Sequence, residues 1–366
     1  MVIFIADFPK PVHGASNVSH AFVKLMSSLD STLAIKVIDT APSLASRFFP
    51  GKTWKLIKLF WMLVSIVRLA IFLSLNVRNV SCLIHPINAG YGQLYDLLIT
   101  IVAKFFCVKI YFYHHSFKYL NKKSKLSWIL FKVAGESTIH IALGQKMKVK
   151  LKETYSLNCT IEVLSNAFMF DPIKSFSGIH KSKDSPFVLG HLANVCVEKG
   201  VFEFLDTLKI LNELGLKVIG KLAGPIHDLN LAKKIITLDA ECAYFSYIGP
   251  VYGKAKTEFY QDLDVFIFPS KYVNEAEPLV LFEAAQYGVF SIGSEVGCMS
   301  DILSVLGGVS VCVDILAAQE IANCVIHAIE NDLLDYKGQQ DRANRFDAFV
   351  KESQTSFIRL NKSFTD

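Results

Sequence analysis

Residues 265–297 read VFIFPSKYVNEAEPLVLFEAAQYGVFSIGSEVG. Val265–Phe268 is a short apolar run of the kind that forms a strand buried on both faces, and Pro269-Ser270 ends it. A loop carrying Glu275 follows. Pro278 suits a first helical turn, Glu283 lies roughly one and a half turns into that helix, and Gly288 closes it before a second apolar run starts at Phe290. A helix starting at Pro278 and Leu279 would aim free backbone N–H groups at an anion such as a diphosphate. Glu275 would then lie beside the anion, and each Glu could accept hydrogen bonds from sugar hydroxyls.

Outward from this stretch, short β-rich runs alternate with helical ones along the chain, the pattern of parallel sheets flanked by helices. The first half predicts strands at Val2–Ala6, Leu33–Asp39, Val80–His85, Lys109–Tyr113, Ile139–Leu143 and Thr160–Leu164. Helices are expected over Ser16–Leu29, Trp54–Leu75, Gln93–Phe106 and Lys125–Val133. The second half predicts strands at Phe187–Leu192, Lys217–Ala223, Ala243–Ile248, Val265–Phe268 and Phe290–Gly293. Between the halves, residues 172–186 (PIKSFSGIHKSKDSP) read as an exposed linker. The expected fold class is α/β, two doubly wound Rossmann-like domains facing across a cleft. They are a first domain over 1–171 and a second over 187–345, with a final helix over 346–366 that could return to the first domain. Ligands of such folds bind at the C-terminal ends of the strands.

A chain of 366 residues with 52% hydrophobic content can bury a large core, which excludes disorder. Eight scattered cysteines show no zinc-site spacing and read as reduced thiols. Val2 to Ala6 is too short for a signal peptide, and Pro9 and Pro11 follow it, so a cytoplasmic protein is expected. Residues 1–171 carry 20 Lys and Arg against 8 Asp and Glu, a balance of +12, while the remainder is at −7. In a chain this apolar, the basic half points to an anionic membrane surface at the inner face rather than to nucleic acid. Trp54–Asn76 is the most apolar window, and Lys55, Lys58, Ser65, Arg68 and Asn76 fall on one face of it as a helix. With Lys58 and Arg68 it is expected not to span a bilayer. It reads either as a helix covering a sheet, the favoured role, or as one lying in the membrane interface.

EAEPLVLFE at 275–283, with Ala284 and Gly288, resembles the E-x7-E signature of retaining glycosyltransferase family 4, which has the GT-B fold. The resemblance implies that Glu275 contacts the donor sugar and Glu283 the ribose of a nucleotide-diphosphate sugar. Leu189 to Asn194 followed by Glu198-Lys199-Gly200 looks like the family's first donor-domain strand and turn, so Lys199 would meet the diphosphate and Asn194 would line the site. Gly249-Pro250-Val251 with Lys256 also resembles a family segment, with Lys256 open between a donor contact and a solvated side chain. Many relatives place Arg where this chain has His191. In the first half, His13-Gly14 resembles the family's N-terminal Gly loop, and Tyr113-His114-His115 ends a strand where the family often has a functional His. His115 is the candidate and His114 its rival.

The resemblance further implies transfer of a sugar from a UDP- or GDP-linked donor to a hydroxyl acceptor with retention, without a protein nucleophile. No cofactor beyond the donor and no catalytic metal are expected, and Asp262-Leu263-Asp264 is read as a strand-entry loop rather than a metal-binding DxD motif. Together with the basic first half, it suggests a lipid-linked saccharide acceptor in surface polysaccharide biosynthesis, such as lipopolysaccharide. A nucleotide-sugar epimerase of the same fold and a catalytically silent sugar-nucleotide-binding partner are the alternatives.

Overall fold

The computed structural model describes residues 1–9, 14–40, 52–173, 176, 178 and 185–365. These form two compact units, Met1–Phe170 with Glu352–Asp366, and Asp171–Lys351. Most of the linker stretch lies outside the described residues.

The first unit is built on a parallel sheet of β1 (Val2–Ala6), β2 (Ile35–Asp39), β3 (Cys82–Ile87), β4 (Lys109–His114), β5 (Ile139–Ala142) and β6 (Ile161–Val163), in the order β2-β1-β3-β4-β5-β6. Its connections are α1 (Gly14–Leu29), α2 (Lys52–Asn76), α3 (Gln93–Phe105), α4 (Lys118–Asn121), α5 (Lys125–Ala134) and α6 (Gln145–Tyr155). All five residues of β1 are buried, as expected of a strand covered on both faces. The C-terminal segment belongs to this core. Phe357 packs edge-on to Phe22 at 4.8 Å between ring centroids and stacks on Phe168 at 4.9 Å, and the Tyr111 hydroxyl donates to the Ser363 carbonyl at 2.6 Å. Truncating the buried Phe357 to Ala would cost about 3–5 kcal/mol.

Helix α2 differs from the sequence expectation. Only its inner edge is buried, through Ser65, Leu69 and Leu73, while Leu59, Phe60, Leu63, Val67, Ile71 and Leu75 are exposed. Its apolar window has a mean hydropathy of 2.0, is long enough to cross a membrane despite Lys58 and Arg68, and is only 17% buried. The polar Ser65 turns inward because its hydroxyl donates to the Trp61 carbonyl one turn back. The buried covering role therefore holds for one edge of the helix and not for the window as a whole.

The second unit has β7 (Phe187–Leu192), β8 (Val218–Ala223), β9 (Phe245–Gly249), β10 (Val265–Phe268), β11 (Phe290–Ser294) and β12 (Val309–Val311), in the order β12-β11-β10-β7-β8-β9. Helices α7 (Val201–Glu213), α8 (Leu229–Glu241), α9 (Lys254–Gln261), α10 (Leu279–Ala285), α11 (Met299–Leu306) and α12 (Ala317–Glu330) connect them, and α13 (Tyr336–Lys362) carries the chain back to the first unit. From β7 the chain moves outward to β8 and β9, then returns to the other side of β7 at β10. That reversal makes the β7/β10 boundary the topological switch point, where the loops leaving two neighbouring strands part and open a crevice.

Candidate active site

Two loops interlock at the carboxyl ends of β7 and β10. After β7 a 3-10 turn, Val197–Lys199, ends at Gly200, whose φ is +84°. A Cβ at Gly200 would sit 2.3 Å from the Pro269 carbonyl oxygen, so only glycine lets the turn lie against the end of β10. The Lys271 amide donates to the Glu198 carbonyl at 2.7 Å and locks the two loops together. This brings the Lys199 ammonium onto the Glu275 carboxylate, although 76 residues separate them. The Ser270 hydroxyl donates to the same carboxylate oxygen at 3.1 Å, and Lys199 Nζ stands 4.8 Å over the Tyr272 ring. The Glu275 loop is anchored from behind by Gly297 at φ +66°, where a Cβ would meet the Glu275 and Ala276 carbonyls at 2.6 Å. The Cys298 amide then reaches the Ala276 carbonyl at 2.8 Å.

The second carboxylate is paired in the same manner. On α9, Lys256 and Tyr260 are one turn apart and share a face. Lys256 Nζ lies 2.6 Å from Glu283 Oε1, and the Tyr260 hydroxyl donates to Glu283 Oε2 at 3.0 Å. Burial, reinforced by the Glu283 charge, pushes the Tyr260 phenol well above its ordinary pKa, so it stays a donor. Helix α10 is seven residues long and begins at Leu279, with the buried Pro278 as its extended N-cap rather than its first helical residue. Both ion pairs remain partly exposed and contribute only about 0–1 kcal/mol each to stability. Their polar atoms are thus cheap to re-partner when an anionic, hydroxyl-bearing ligand arrives.

The other expected residues divide. Asn194 is exposed just after β7. Asp262 and Asp264 lie at the opposite, amino end of β10, where Asp262 pairs with Lys221 and Asp264 accepts the Val188 amide at 2.7 Å. His191 is fully buried, its Nδ1 2.9 Å from the Ile267 carbonyl, and burial lowers its pKa to about 4. A neutral imidazole inside the sheet does not supply the cation that an Arg would bring. In the first unit, Gly14 opens α1 in open space, with nothing within 4 Å of where a Cβ would be, so packing does not demand glycine there. His13 lies outside the described residues. His114 already has both ring nitrogens engaged within the unit. It is fully buried, with one ring nitrogen 2.7 Å from the Tyr119 hydroxyl and the other 2.9 Å from His140. His115 keeps Nε2 unpartnered and shielded and packs against the Tyr113 ring at 4.1 Å, leaving it the freer of the two. Ser270, Tyr260 and Gly297 received no role from the sequence. The Pro-Ser strand end and the four-residue step from Lys256 to Tyr260 were their only signals.

Burial lowers the pKa of His115 and His191 to about 4 and of His140 to about 3. Each lies below its unfolded value near 6.5, so the unfolded chain takes up protons first as pH falls. The stability these neutral rings contribute is present above about pH 6.5 and is lost towards pH 4. Urea midpoints should fall steadily from pH 7 to pH 5, and a flat profile would mean that the rings protonate without cost.

Comparison with known proteins bears on the second unit first. Residues 173–346 match the family described as glycosyl transferases group 1. Over these residues the second unit is similar to the group 1 glycosyltransferases. No curated protein matches the sequence. Among solved structures, HepE of Anabaena in complex with UDP-glucose superposes with a TM-score of 0.63 at 14% identity, covering 99% of this chain and 100% of that one. The lipopolysaccharide outer core galactosyltransferase WaaB reaches 0.69 at 13% identity, covering 99% and 98%. Sucrose-phosphate synthase from Thermosynechococcus elongatus also reaches 0.69 at 13%, again covering 99% and 98%. These likenesses span the whole chain and establish the GT-B fold.

Proposed function

We propose that the protein is a metal-independent retaining glycosyltransferase of family 4, moving a sugar from a nucleotide-diphosphate donor to a hydroxyl of a lipid-linked saccharide. The observation that carries this reading is the double pairing at one switch point, Lys199 with Glu275 and Lys256 with Glu283. In the proposed mechanism Lys199 turns from Glu275 to the donor diphosphate and offsets the charge that develops on the leaving nucleotide. Glu275, steadied by Ser270, then accepts hydrogen bonds from the sugar, while Glu283 accepts them from the ribose. Pro278 and Leu279 lie beside the diphosphate. The acceptor attacks the face that the nucleotide leaves, and a donor phosphate oxygen takes its proton, which gives retention. His115 and the Gly14 loop serve the acceptor side.

HepE with its UDP-glucose supports a UDP-linked donor, and WaaB supports a place in surface polysaccharide assembly. A membrane-borne acceptor agrees with the +12 balance of residues 1–171 and puts the protein at the inner membrane face. Chelation tests the reading. Turnover should survive EDTA, with nucleotide release coupled to a glycosylated acceptor, and Asp262→Asn should be close to silent. Activity abolished by EDTA and restored by manganese would reject it, and epimer release without acceptor would favour an epimerase.

A further inference from the structure

The helices α2, α3 and α5 cross over on one side of the first sheet, with α3 packed between the other two. Their outward faces are apolar. On α2 the exposed residues Leu59, Leu63, Val67, Ile71 and Leu75 recur every fourth position, and on α3 Leu94, Leu98 and Ile101 continue the surface to Phe105, which is 81% exposed. Trp128 and Ile129 extend it onto α5. An apolar layer this wide is unusual on a water-facing domain.

Its charges are mostly of one sign. Neither α2 nor α5 contains Asp or Glu, and the single carboxylate of α3, Asp96, is fully buried against His85 and Asn88. Arg68, Lys104, Lys125 and Lys132 are exposed, and Glu136 comes only after α5 has ended. Beside α2 a groove of about 590 Å³ opens along the edge strand β2, lined mostly by apolar side chains together with Lys36, Arg68 and one carboxylate, Asp39. Lys36 leans on Phe72 and Arg68 on Trp61, at 5.2 and 4.9 Å.

We infer that this face lies in the interface of an anionic bilayer, with the apolar helix faces inserted among the acyl chains and the cations on lipid phosphates. Charge decides the occupant. A second copy would set Lys36, Arg68, Lys104, Lys125 and Lys132 against the same cations with only Asp39 and Glu136 nearby to meet them, whereas anionic headgroups complement them. The helix lies on the membrane rather than through it, because α2 is tied to its own sheet. Lys58 pairs with Asp7 at 3.2 Å, Trp61 Nε1 donates to the Asp39 carbonyl at 3.3 Å, and Leu69 and Leu73 are fully buried. The biological purpose rests on the proposed membrane-borne acceptor, and the binding itself is measurable without donor or turnover.

Trp128 is exposed on this face and Trp61 lines the groove beside it, so tryptophan fluorescence responds to what covers them. Purified full-length protein should float with phosphatidylcholine vesicles containing phosphatidylglycerol and not with phosphatidylcholine alone. Salt and alkaline carbonate should release it, and brominated lipid should quench its tryptophans. Leu63→Gln, Val67→Gln and Ile71→Gln combined, and separately Arg68→Glu, Lys104→Glu and Lys132→Glu combined, should each lower the bound fraction at least about tenfold. Both variants should keep the circular dichroism and nucleotide-sugar binding of the parent. Failure to float at low salt would overturn the inference, as would indifference of both variants. Retention through carbonate would show a spanning helix instead, and a tight dimer with unquenched tryptophans would show that a second copy covers the face. Loss of nucleotide-sugar binding in the parent protein would count against the transferase reading alone.

Discussion

Lys199→Ala is expected to slow sugar transfer at least about tenfold, because one lost charge-assisted contact to the leaving diphosphate is worth roughly 1.5–3 kcal/mol. The resting structure sharpens this. Lys199 is paired with Glu275, so its removal also leaves that carboxylate, among the described residues, with Ser270 as its one remaining side-chain donor beside the incoming phosphates. Repulsion should add to the missing attraction, and Lys199→Arg should restore part of the rate. Full activity in Lys199→Ala would remove the switch-point pair from the chemistry.

Glu283→Ala is expected to weaken nucleotide-sugar binding by about 1–3 kcal/mol, read by calorimetry. The loss comes from a missing acceptor for the ribose and from taking the carboxylate away from Lys256 and from the Tyr260 hydroxyl, which keeps only a 3.4 Å contact to the Val280 carbonyl. Tyr260→Phe retains the carboxylate and frees one of its oxygens, so it should cost less than Glu283→Ala. Equal affinity in parent and Glu283→Ala would place the nucleotide elsewhere.

The parts of the fold legible in the sequence were those with strong local signals. Val265–Phe268 and Val2–Ala6 are strands with the expected bounds, since unbroken apolar runs between turn residues have few other solutions, and Phe187–Leu192 keeps its bounds although His191 interrupts the run. The third strand was expected to stop before Pro86, yet Pro86 pairs with Tyr113 within it. β12, three residues at the sheet edge, was missed for lack of length, and α6 for its polar sequence, in which Met147, Leu151 and Tyr155 alone mark a buried stripe. The orientation of α2 was not legible, because a helical wheel locates a polar face without saying which way it turns. At the site, spacing pointed to Glu275 and Glu283. It could not show that each carboxylate meets a lysine from another element, since Lys199 reaches Glu275 only once β7 and β10 stand side by side and Lys256 reaches Glu283 only once α9 packs beside α10.

The most direct test is calorimetric titration of UDP- and GDP-sugars into the full-length protein and into the Lys199→Ala, Glu283→Ala double variant. At least one nucleotide sugar should bind the parent with its sugar intact, and the double variant should lose at least about a hundredfold in affinity while melting as the parent does. Equal binding by both proteins, or no binding of any nucleotide sugar by the parent, would contradict a donor site at the β7/β10 switch point.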